Sequence, residues 1–490
     1  MSDGAVDEVL RELVRRGLPE AEVLTKRGRS RRLALELGSE VSAFSQERAW
    51  AVRASSRRGS FFTAGAGEPA WGEAGGNLGE AGDPGGAGGR SGSTGRHRPD
   101  AQAHPDPGDL AASHGFWPEP AGRPFRLPDP EAAPGWTQPS DFETPLIGES
   151  EGLRLLAGLA RELEQELPGS RLLRATLEDG SSEGELANSR GLRVAFRRRL
   201  ATLHLEVAGP GRPGASAALY LADREARRFH PKALARRLAD RLSVAASGSP
   251  PRQGAAAGVA AGAGGRRGEL LLAPPVAVAL LAGLLPLLVG PGAAARMLAL
   301  RDRRGKIGSE RLTLIDNGRL AGGALECPVD GEGVPCREAV LVEEGVFRQP
   351  LLAWWQVNGA APGAASGCCR RPGWRDLPAP GATHLYVRPD PRLAVAALLG
   401  GVARGHYLID ATGPARFAAA GDSFALPVCG FAVEAGRATA PVAGAWLCGT
   451  AAALFQGIAA VARDLSFFPL DGMLGSPTLL VTGLELRGAP

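Results

Sequence analysis

Two short polar stretches in the second half of the chain carry residue types that could contact a substrate. Residues 330–333 read Asp-Gly-Glu-Gly, and the glycines allow a tight turn that presents acids or backbone amides to a cleft. Arg370 and Arg371 follow later, and the arginine fork of donors suits a peptide carboxylate or carbonyl. We therefore select Asp330, Glu332, Arg370 and Arg371 as candidates for a peptide cleft. A solvated hairpin turn and a surface ion pair are the structural alternatives.

Residues that could bind a metal are present but lack the spacing of known metal sites. The chain has six cysteines, and none of them forms a C-x-x-C pair. The available ligands of the C-terminal region lie in different predicted strands: Cys368, Cys369, His384, His406, Asp410 and Asp422. A lone histidine in a strand is more often hydrogen-bonded than metal-bound. A metal site in this chain is therefore a minor hypothesis.

The region between Leu270 and Ala295 contains no charged residue. About 20 apolar residues can cross a membrane, but no aromatic belt flanks this stretch. Four prolines also interrupt it: Pro274, Pro275, Pro286 and Pro291. We expect a buried strand followed by a core helix over residues 276–285, which Pro286 ends or kinks. No membrane partner is predicted.

The bulk composition is that of a globular protein, with 44% apolar and 22% charged residues. The net charge is +4, from 56 basic and 52 acidic residues, which is too balanced to indicate nucleic-acid binding. The basic runs at 26–32, 197–199 and 301–306 are typical of solvated faces or turns. Residues 1–18 mix acids and bases, unlike a signal peptide, so we expect a cytoplasmic protein with reduced thiols.

The pattern of polar and apolar residues predicts an α+β fold, with an N-terminal region of helices and antiparallel strands in two parts. A larger strand-rich C-terminal domain with a few buried helices follows. The predicted segments are a first α/β subdomain, a disordered Gly/Pro-rich insertion, a second α/β subdomain, a linker and the C-terminal domain: 1–71, 72–124, 125–247, 248–268 and 269–490.

Local patterns support these segments. Helical spacing of apolar residues predicts helices over 3–17, 149–166 and 230–247, and alternation predicts strands around them. Turns are expected at Asp179-Gly180 and near Asn188, which we expect to accept a positive φ. Further turn signals occur in the C-terminal region at 316–318, 330–333, 344–345, 421–422 and 434–436.

Several C-terminal stretches, in order along the chain, resemble the TldD/PmbA family. These proteins are subunits of a bacterial and archaeal metalloprotease and are also described as modulators of DNA gyrase. The similar stretches include SERLTLIDNG (309–318), PVDGEGVPCREAVLVEEGVF (328–347), GHYLIDATG (405–413) and CGFAVEAGRATAPVAGAWLCG (429–449). In the first half, SAFSQERAWAVRA (42–54) and LANSRGL (186–192) also fit.

The resemblance has a consequence for catalysis. The catalytic TldD-type subunit carries HExxxH on a helix, where two histidines hold the metal and the glutamate moves a proton. By spacing, the motif falls near Leu281, Ala282 and Pro286, which are all apolar, and the later cysteine-bearing loop is also missing. The sequence is therefore similar to the PmbA-type subunit, also called TldE. We expect no catalytic residue and no metal in this chain, and zinc in a TldD-type partner.

The leading functional hypothesis is a non-catalytic subunit of a heteromeric metalloprotease that acts on unfolded peptides. Its partner would be a TldD-type catalytic subunit or a second copy of itself, with no nucleic-acid partner. One alternative is a stand-alone homo-oligomer that binds peptides or has a structural role. A metallopeptidase with a relocated metal site is another alternative.

Overall fold

The computed structural model describes residues 3–36, 39–56, 59–67, 125–129, 145–210, 216–247, 266–357, 367–418 and 423–488. The predicted insertion at 72–124 lies outside the described residues. So do residues 248–265 of the predicted linker and the predicted turn at 421–422.

The first half of the chain builds one six-stranded antiparallel sheet of order β3-β2-β1-β4-β5-β6. Its strands come from both sides of the insertion: β1 Glu20–Glu36, β2 Ser39–Ser56, β3 Gly59–Ala66, β4 Arg171–Asn188, β5 Arg193–Ala208 and β6 Ser216–Asp223. The two stretches that the sequence separates as subdomains therefore contribute strands to the same sheet, which we call the N-terminal sheet.

Three helices cover one face of this sheet, and they confirm the predicted helices: α1 Asp3–Arg15, α2 Glu149–Glu166 and α3 Pro231–Ser247. The apolar side of α1 packs on Val23 and Val52. The leucines of α2 and α3 pack on the alternate residues of β5 that point the same way, such as Leu203 and Leu205. Because side chains alternate across a strand, the polar residues between them lie on the other face.

The predicted turn at Asp179-Gly180 is wrong, because β4 continues through both residues. Asp179 pairs with Arg31 on one side and with Ala201 on the other. Its buried carboxylate accepts a hydrogen bond from the backbone of Ile147 at 2.6 Å and pairs with Arg199. Tertiary contacts thus override the local preference of Asp-Gly for a turn.

The turn near Asn188 is present, but the positive φ of 92° occurs at Gly191. The Asn188 side chain instead closes the turn by accepting hydrogen bonds from the backbone of Arg190 and Leu192. A glycine adopts this backbone conformation without the steric cost of a Cβ.

The C-terminal domain contains two larger sheets and a short β12-β13 pair. The first sheet has the order β11-β10-β9-β14-β21-β20, with β9 Leu314–Asn317, β10 Glu338–Glu343, β11 Val346–Phe347, β14 His384–Val387, β20 Ser466–Pro469 and β21 Met473–Ser476. The short pair is β12 Cys369–Arg370 and β13 Ala379–Pro380.

The second sheet has the order β19-β22-β8-β15-β17-β18-β23-β7, and β16 pairs with β17. Its strands are β7 Arg266–Arg267, β8 Glu269–Leu272, β15 Arg404–Ala411, β16 Arg416–Phe417, β17 Ser423–Glu434, β18 Arg437–Thr450, β19 Ile458–Val461, β22 Leu479–Val481 and β23 Glu485–Arg487. The helices of this domain are α4 Pro274–Leu288, α5 Ala293–Leu298, α6 Val395–Gly401 and α7 Ala451–Gly457.

The uncharged stretch forms the buried strand β8 and the helix α4, as expected, and α4 contacts strands of both large sheets. The helix is longer than predicted. It begins at Pro274, where a first-turn proline leaves no internal hydrogen bond unmade, and it continues past Pro286 to Leu288. Over the described residues, α4 and every other helix are too short or too polar to cross a membrane. The sheets are mainly antiparallel, with parallel pairs only at β14-β21 and β15-β8 among the described strands, and this arrangement confirms the predicted α+β class.

Candidate functional site

A cavity of about 560 Å³ lies between the polar face of the N-terminal sheet and the loops of the C-terminal domain. Leu200 and Tyr220 on its border are 36% and 46% exposed, so it opens to solvent. The volume is within the roughly 300–1,000 Å³ range of ligand sites. We call it the interdomain cavity.

The floor of the interdomain cavity consists of small side chains on neighbouring strands. Gly28 and Ser30 of β1 lie opposite Ser182 and Gly180 of β4, and Ser30 Oγ is 2.9 Å from Ser45 Oγ of β2. Long side chains at these positions would fill the space above the sheet. The sequence therefore leaves room for a ligand at this point.

Arg198 and Arg370 are among the arginines that line the cavity, one on each of its two walls. Arg198 of β5 lies beside Ser182 in the register of the sheet, and its Nη2 is 3.6 Å from Cys327 Sγ. Arg370 of β12 donates from Nη1 to the carbonyl oxygen of Ala382 at 2.8 Å. Burial lowers the pKa of Arg370, the attraction of Asp471 opposes this effect, and repulsion from Arg198 adds to it.

The predicted acidic turn is present at the edge of the cavity, but Asp330 is only 6% exposed. Its Oδ1 accepts hydrogen bonds from the backbone of Glu332 and Val334, and its Oδ2 accepts one from Cys369. Burial raises the pKa of Asp330 to about 7, and repulsion from Glu332 adds to the rise against these three donors. The carboxyl group thus closes its own turn and is turned away from solvent.

Glu332 is fully buried, and it belongs to an ionic network that joins the two parts of the chain. Its Oε1 lies 3.3 Å from Arg53 of β2, and Arg53 also binds Glu22 of β1 at 2.9 Å. Burial acts to lower the pKa of Arg53, but the attraction of the two carboxylates is stronger and raises it. Arg371 binds Glu22 as well and donates to the carbonyl oxygen of Gly331 at 2.8 Å.

The structure thus separates the four predicted cleft residues. Asp330, Arg370 and Arg371 line the interdomain cavity, whereas Glu332 lies behind it in the ionic network. Of the three that line it, Arg371 is paired with a carboxylate. Whether any of them contacts a peptide stays a prediction.

Asp330, Glu332 and Cys369 also bring three ligand atoms within 4.8 Å of one another, which is close enough to surround a metal ion. All four of their carboxylate oxygens already accept hydrogen bonds. Besides the contacts of Asp330, Glu332 Oε2 accepts from the backbone of Trp354 at 2.9 Å and from Cys369 Sγ at 3.1 Å. The adjacent guanidinium of Arg53 supplies the positive charge that a metal would supply. The cluster fits a hydrogen-bonded structural group better than a metal centre.

Two further possible ligands in the described part of the C-terminal domain, His384 and Asp410, are likewise engaged. His384 Nε2 accepts from the backbone of Leu325 at 3.1 Å, and its Nδ1 lies 2.9 Å from the carbonyl oxygen of Asn317. Burial lowers the pKa of His384 to about 4, so the ring is neutral. Asp410 pairs with Arg241 at 2.8 Å, and Asp422 lies outside the described residues.

The positions that correspond to the family metal motif lie on α4. Leu281 is 4% exposed and belongs to the main apolar cluster, and Ala282 packs against that cluster. Pro286 is exposed near the end of the helix. The small space beside α4 is lined mainly by leucine, valine and other apolar residues. None of these three side chains can donate an electron pair to zinc.

Several cavity residues were not selected from the sequence, above all Arg198, Ser182 and Gly180. Alternation along β4 and β5 could have placed them on one face of a sheet, but not opposite Arg370. Residues 180–184 also read G-S-S-E-G, the spacing of a serine-hydrolase nucleophile elbow. Ser182 does not have the position of such a nucleophile, because it lies within β4 and not at a strand–helix turn.

Comparisons with known proteins agree with the fold and with the resemblance. Residues 265–488 match the model of the PmbA/TldA metallopeptidase C-terminal domain. A curated Metalloprotease TldD homolog of Buchnera aphidicola is 27% identical over 171 residues. The matched region spans only about a third of that relative's length and of this chain.

Solved structures match almost the whole chain at low sequence identity, so they show the fold alone. TldE from Thermococcus kodakarensis has a TM-score of 0.76 and 17% identity, and the match covers 99% of this chain and all of that one. A proposed modulator of DNA gyrase from Thermotoga maritima has a TM-score of 0.71 and 16% identity, with the same coverage. Residues 265–488 therefore form a domain of the PmbA/TldA metallopeptidase C-terminal type, and the whole chain has the fold of the TldE structure.

Proposed function

We propose that this chain is a non-catalytic, peptide-binding subunit of a TldD/PmbA-type metalloprotease in the cytoplasm. Its partner is a TldD-type catalytic subunit that carries the zinc, and the substrate is an unfolded peptide. In this assembly the chain contributes part of the substrate-binding surface and no catalytic group.

The observation that carries this proposal is the composition of α4. Leu281, Ala282 and Pro286 occupy the positions where the family places two histidines and a glutamate, and the packing around Leu281 is apolar. An unpaired zinc ligand buried here would cost free energy, whereas leucine gains it. The helix is therefore built for core packing in place of catalysis.

The interdomain cavity supports the peptide-binding part of the proposal. Its floor has small polar residues on adjacent strands, which let an extended backbone approach the sheet. The cavity is open to solvent and holds hydrogen-bonding groups from both walls. A folded domain is too large for about 560 Å³, but a short extended segment is not.

A reconstitution experiment tests the assignment. This chain and the TldD-type protein of the same organism are purified separately and together, and zinc content and cleavage of an unfolded peptide are measured for each sample. We expect zinc and chelator-sensitive cleavage only where the partner is present, and faster cleavage by the mixture. A partner whose motif glutamate is replaced by glutamine is the control and should abolish cleavage.

Two outcomes would contradict the proposal. Stoichiometric zinc with cleavage by this chain alone would support the relocated-site alternative. A homogeneous self-oligomer that neither binds the partner nor changes its activity would support the stand-alone alternative. Size-exclusion chromatography with light scattering distinguishes this second outcome from a mixed complex.

A further inference from the structure

The interdomain cavity contains Arg198 and Arg370 on facing walls, close enough for each charge to act on the other. We propose that a carboxylate of the bound peptide is held between Arg198 and Arg370, so that this chain prefers acidic peptides. The inference rests on the proposed function, since it names the chemistry of the peptide that the cavity binds.

Arg198 has a buried donor that the described residues leave unsatisfied. Its register on β5 directs it to the polar face, where Phe196 packs against its guanidinium at 5.2 Å. Its Nη2 donates a hydrogen bond to Cys327 Sγ at 3.6 Å, and its buried Nε has no hydrogen-bond acceptor among the described residues. A buried donor without an acceptor is costly, and the cost is larger when the donor is charged. An incoming carboxylate would supply the missing acceptor.

Arg370 has only a distant carboxylate partner. One of its nitrogens donates to Ala382, and the nearest carboxylate oxygen, on Asp471, is 3.8 Å away on a side chain that is 81% exposed. Such a solvated contact stabilises a charge only weakly. Burial and the repulsion from Arg198 both act against the charged form of Arg370, and an anion placed between the two guanidinium groups would reverse that repulsion.

Of the three acidic residues that line the cavity, Asp330 and Glu47 are already hydrogen-bonded, and the third, Glu178, is exposed on β4. Asp330 is buried, and its two oxygens accept three backbone hydrogen bonds. Glu47 accepts a hydrogen bond from Trp374 Nε1 at 2.5 Å. The bidentate geometry of arginine with carboxylates makes a peptide acid a suitable ligand for the remaining donors. The small floor residues beside Arg198 leave room for the backbone that carries the acid.

The test measures binding of dansyl-labelled decapeptides to the full chain by fluorescence anisotropy. All peptides contain glycine, alanine and serine, with either two glutamates or two glutamines, and with a free or an amidated C-terminus. We expect the glutamate peptide to bind about tenfold or more tightly than its amidated glutamine counterpart, which is the effect of one charge-assisted interaction. Comparison of the free and amidated peptides tells whether a side chain or the C-terminus provides the carboxylate.

Variants locate the effect in the protein. Arg198→Gln and Arg370→Gln should each remove most of the preference for the acidic peptides. Arg197→Gln is the matched control, because the neighbouring residue points to the opposite face of β5 and pairs with Glu183. Ser182→Trp, which fills the floor beside Arg198 and leaves both arginines in place, should block all peptides. It serves as the second test if the loss of Arg198 impairs folding.

The outcomes separate this inference from the proposed function. Equal binding of acidic and neutral peptides, unchanged in both arginine variants, would overturn the carboxylate site and leave a peptide-binding subunit. No binding of any peptide by the wild-type chain, with or without the TldD-type partner, would overturn both. Tighter, arginine-dependent binding of a single-stranded oligonucleotide would replace the peptide with a nucleic acid and would also overturn the inference.

Discussion

At the scale of single residues, the buried carboxyl groups near the cavity are held by backbone amides. Asp316 of β9 is 2% exposed and accepts a hydrogen bond from the backbone of Thr383 at 2.8 Å. Burial nevertheless raises the pKa of Asp316 to about 7, because the loss of hydration outweighs this donor. Burial also raises the pKa of Asp330 to about 7, and repulsion from Glu332 adds to this rise.

These raised pKa values predict a dependence of stability on pH. An acid whose pKa is higher in the folded state favours folding at low pH, and this contribution is lost as the pH rises from about 4 through about 7. The free energy of unfolding should therefore decrease as the pH rises from 5 to 8. We expect Asp316→Asn to make this decrease less steep, by up to about 1.4 kcal/mol per pH unit. Urea unfolding at several pH values measures the slope.

The control for this prediction is Asp390→Asn. Asp390 is partly exposed, and its hydrogen bond with Arg392 lowers its pKa, so its titration falls below the tested range. Its substitution should leave the slope unchanged. An unchanged slope in Asp316→Asn as well would mean that this carboxyl group is ionised throughout the range.

At the scale of elements, α4 is a helix whose apolar side chains pack in the core and offer no group that could bind a metal. Eight of its residues are buried, including Leu280, Leu281, Leu284 and Leu288, and they contact strands of both C-terminal sheets. A helix that is apolar around most of its circumference must lie in a core or in a membrane. Its 15 residues and its contacts on both sides place it in the core.

Shortening one of these side chains should therefore be costly. Leu284 is 1% exposed, and Leu284→Ala should lower the free energy of unfolding by about 2–5 kcal/mol, because it removes apolar contacts and leaves a cavity. Leu298→Ala on α5, where the leucine is 38% exposed, should change it by less than about 0.5 kcal/mol. Chemical denaturation of both variants gives the comparison. Equal effects would show that α4 is not a rigid part of the core.

At the scale of the whole molecule, buried ion pairs join the N-terminal sheet to the C-terminal domain. Glu22 binds both Arg53 and Arg371, and Arg53 reaches across to Glu332. The side chains of Glu22 and Arg53 are 1% and 4% exposed, so neither charge can be hydrated if its partner is removed. These residues fix the two walls of the interdomain cavity relative to each other.

The removal of Glu22 tests this connection. Glu22→Gln leaves two buried arginines short of a carboxylate and should reduce the free energy of unfolding by about 3–5 kcal/mol. Glu183→Gln removes the partner of the exposed Arg27 on the same sheet and should cost about 0–1 kcal/mol. Urea unfolding followed by tryptophan fluorescence and by circular dichroism measures both variants. A cost for Glu22→Gln no larger than that of the control would show that the network is solvated.

The sequence by itself determined the elements, because their patterns are local. Helical spacing predicted the bounds of α2, and the family-like C-terminal stretches lie within the residues that the family model matches. The apolar character of residues 281, 282 and 286 likewise needs no structure, since a side chain without a lone pair cannot bind zinc. The local turn signal failed at Asp179-Gly180, where neighbouring strands extend β4, and α4 runs two residues past Pro286 to Leu288.

Only the tertiary structure decided which polar residues meet. Glu22 and Arg371 are separated by 349 positions in the chain yet share a buried ion pair, and Arg198 reaches the same cavity as Arg370. The sequence also did not show that the acids of the turn, Asp330 and Glu332, are buried and hydrogen-bonded. Sequence patterns specify which face of a strand is polar, but the packing of two domains determines what that face meets, because those contacts are between residues distant in sequence.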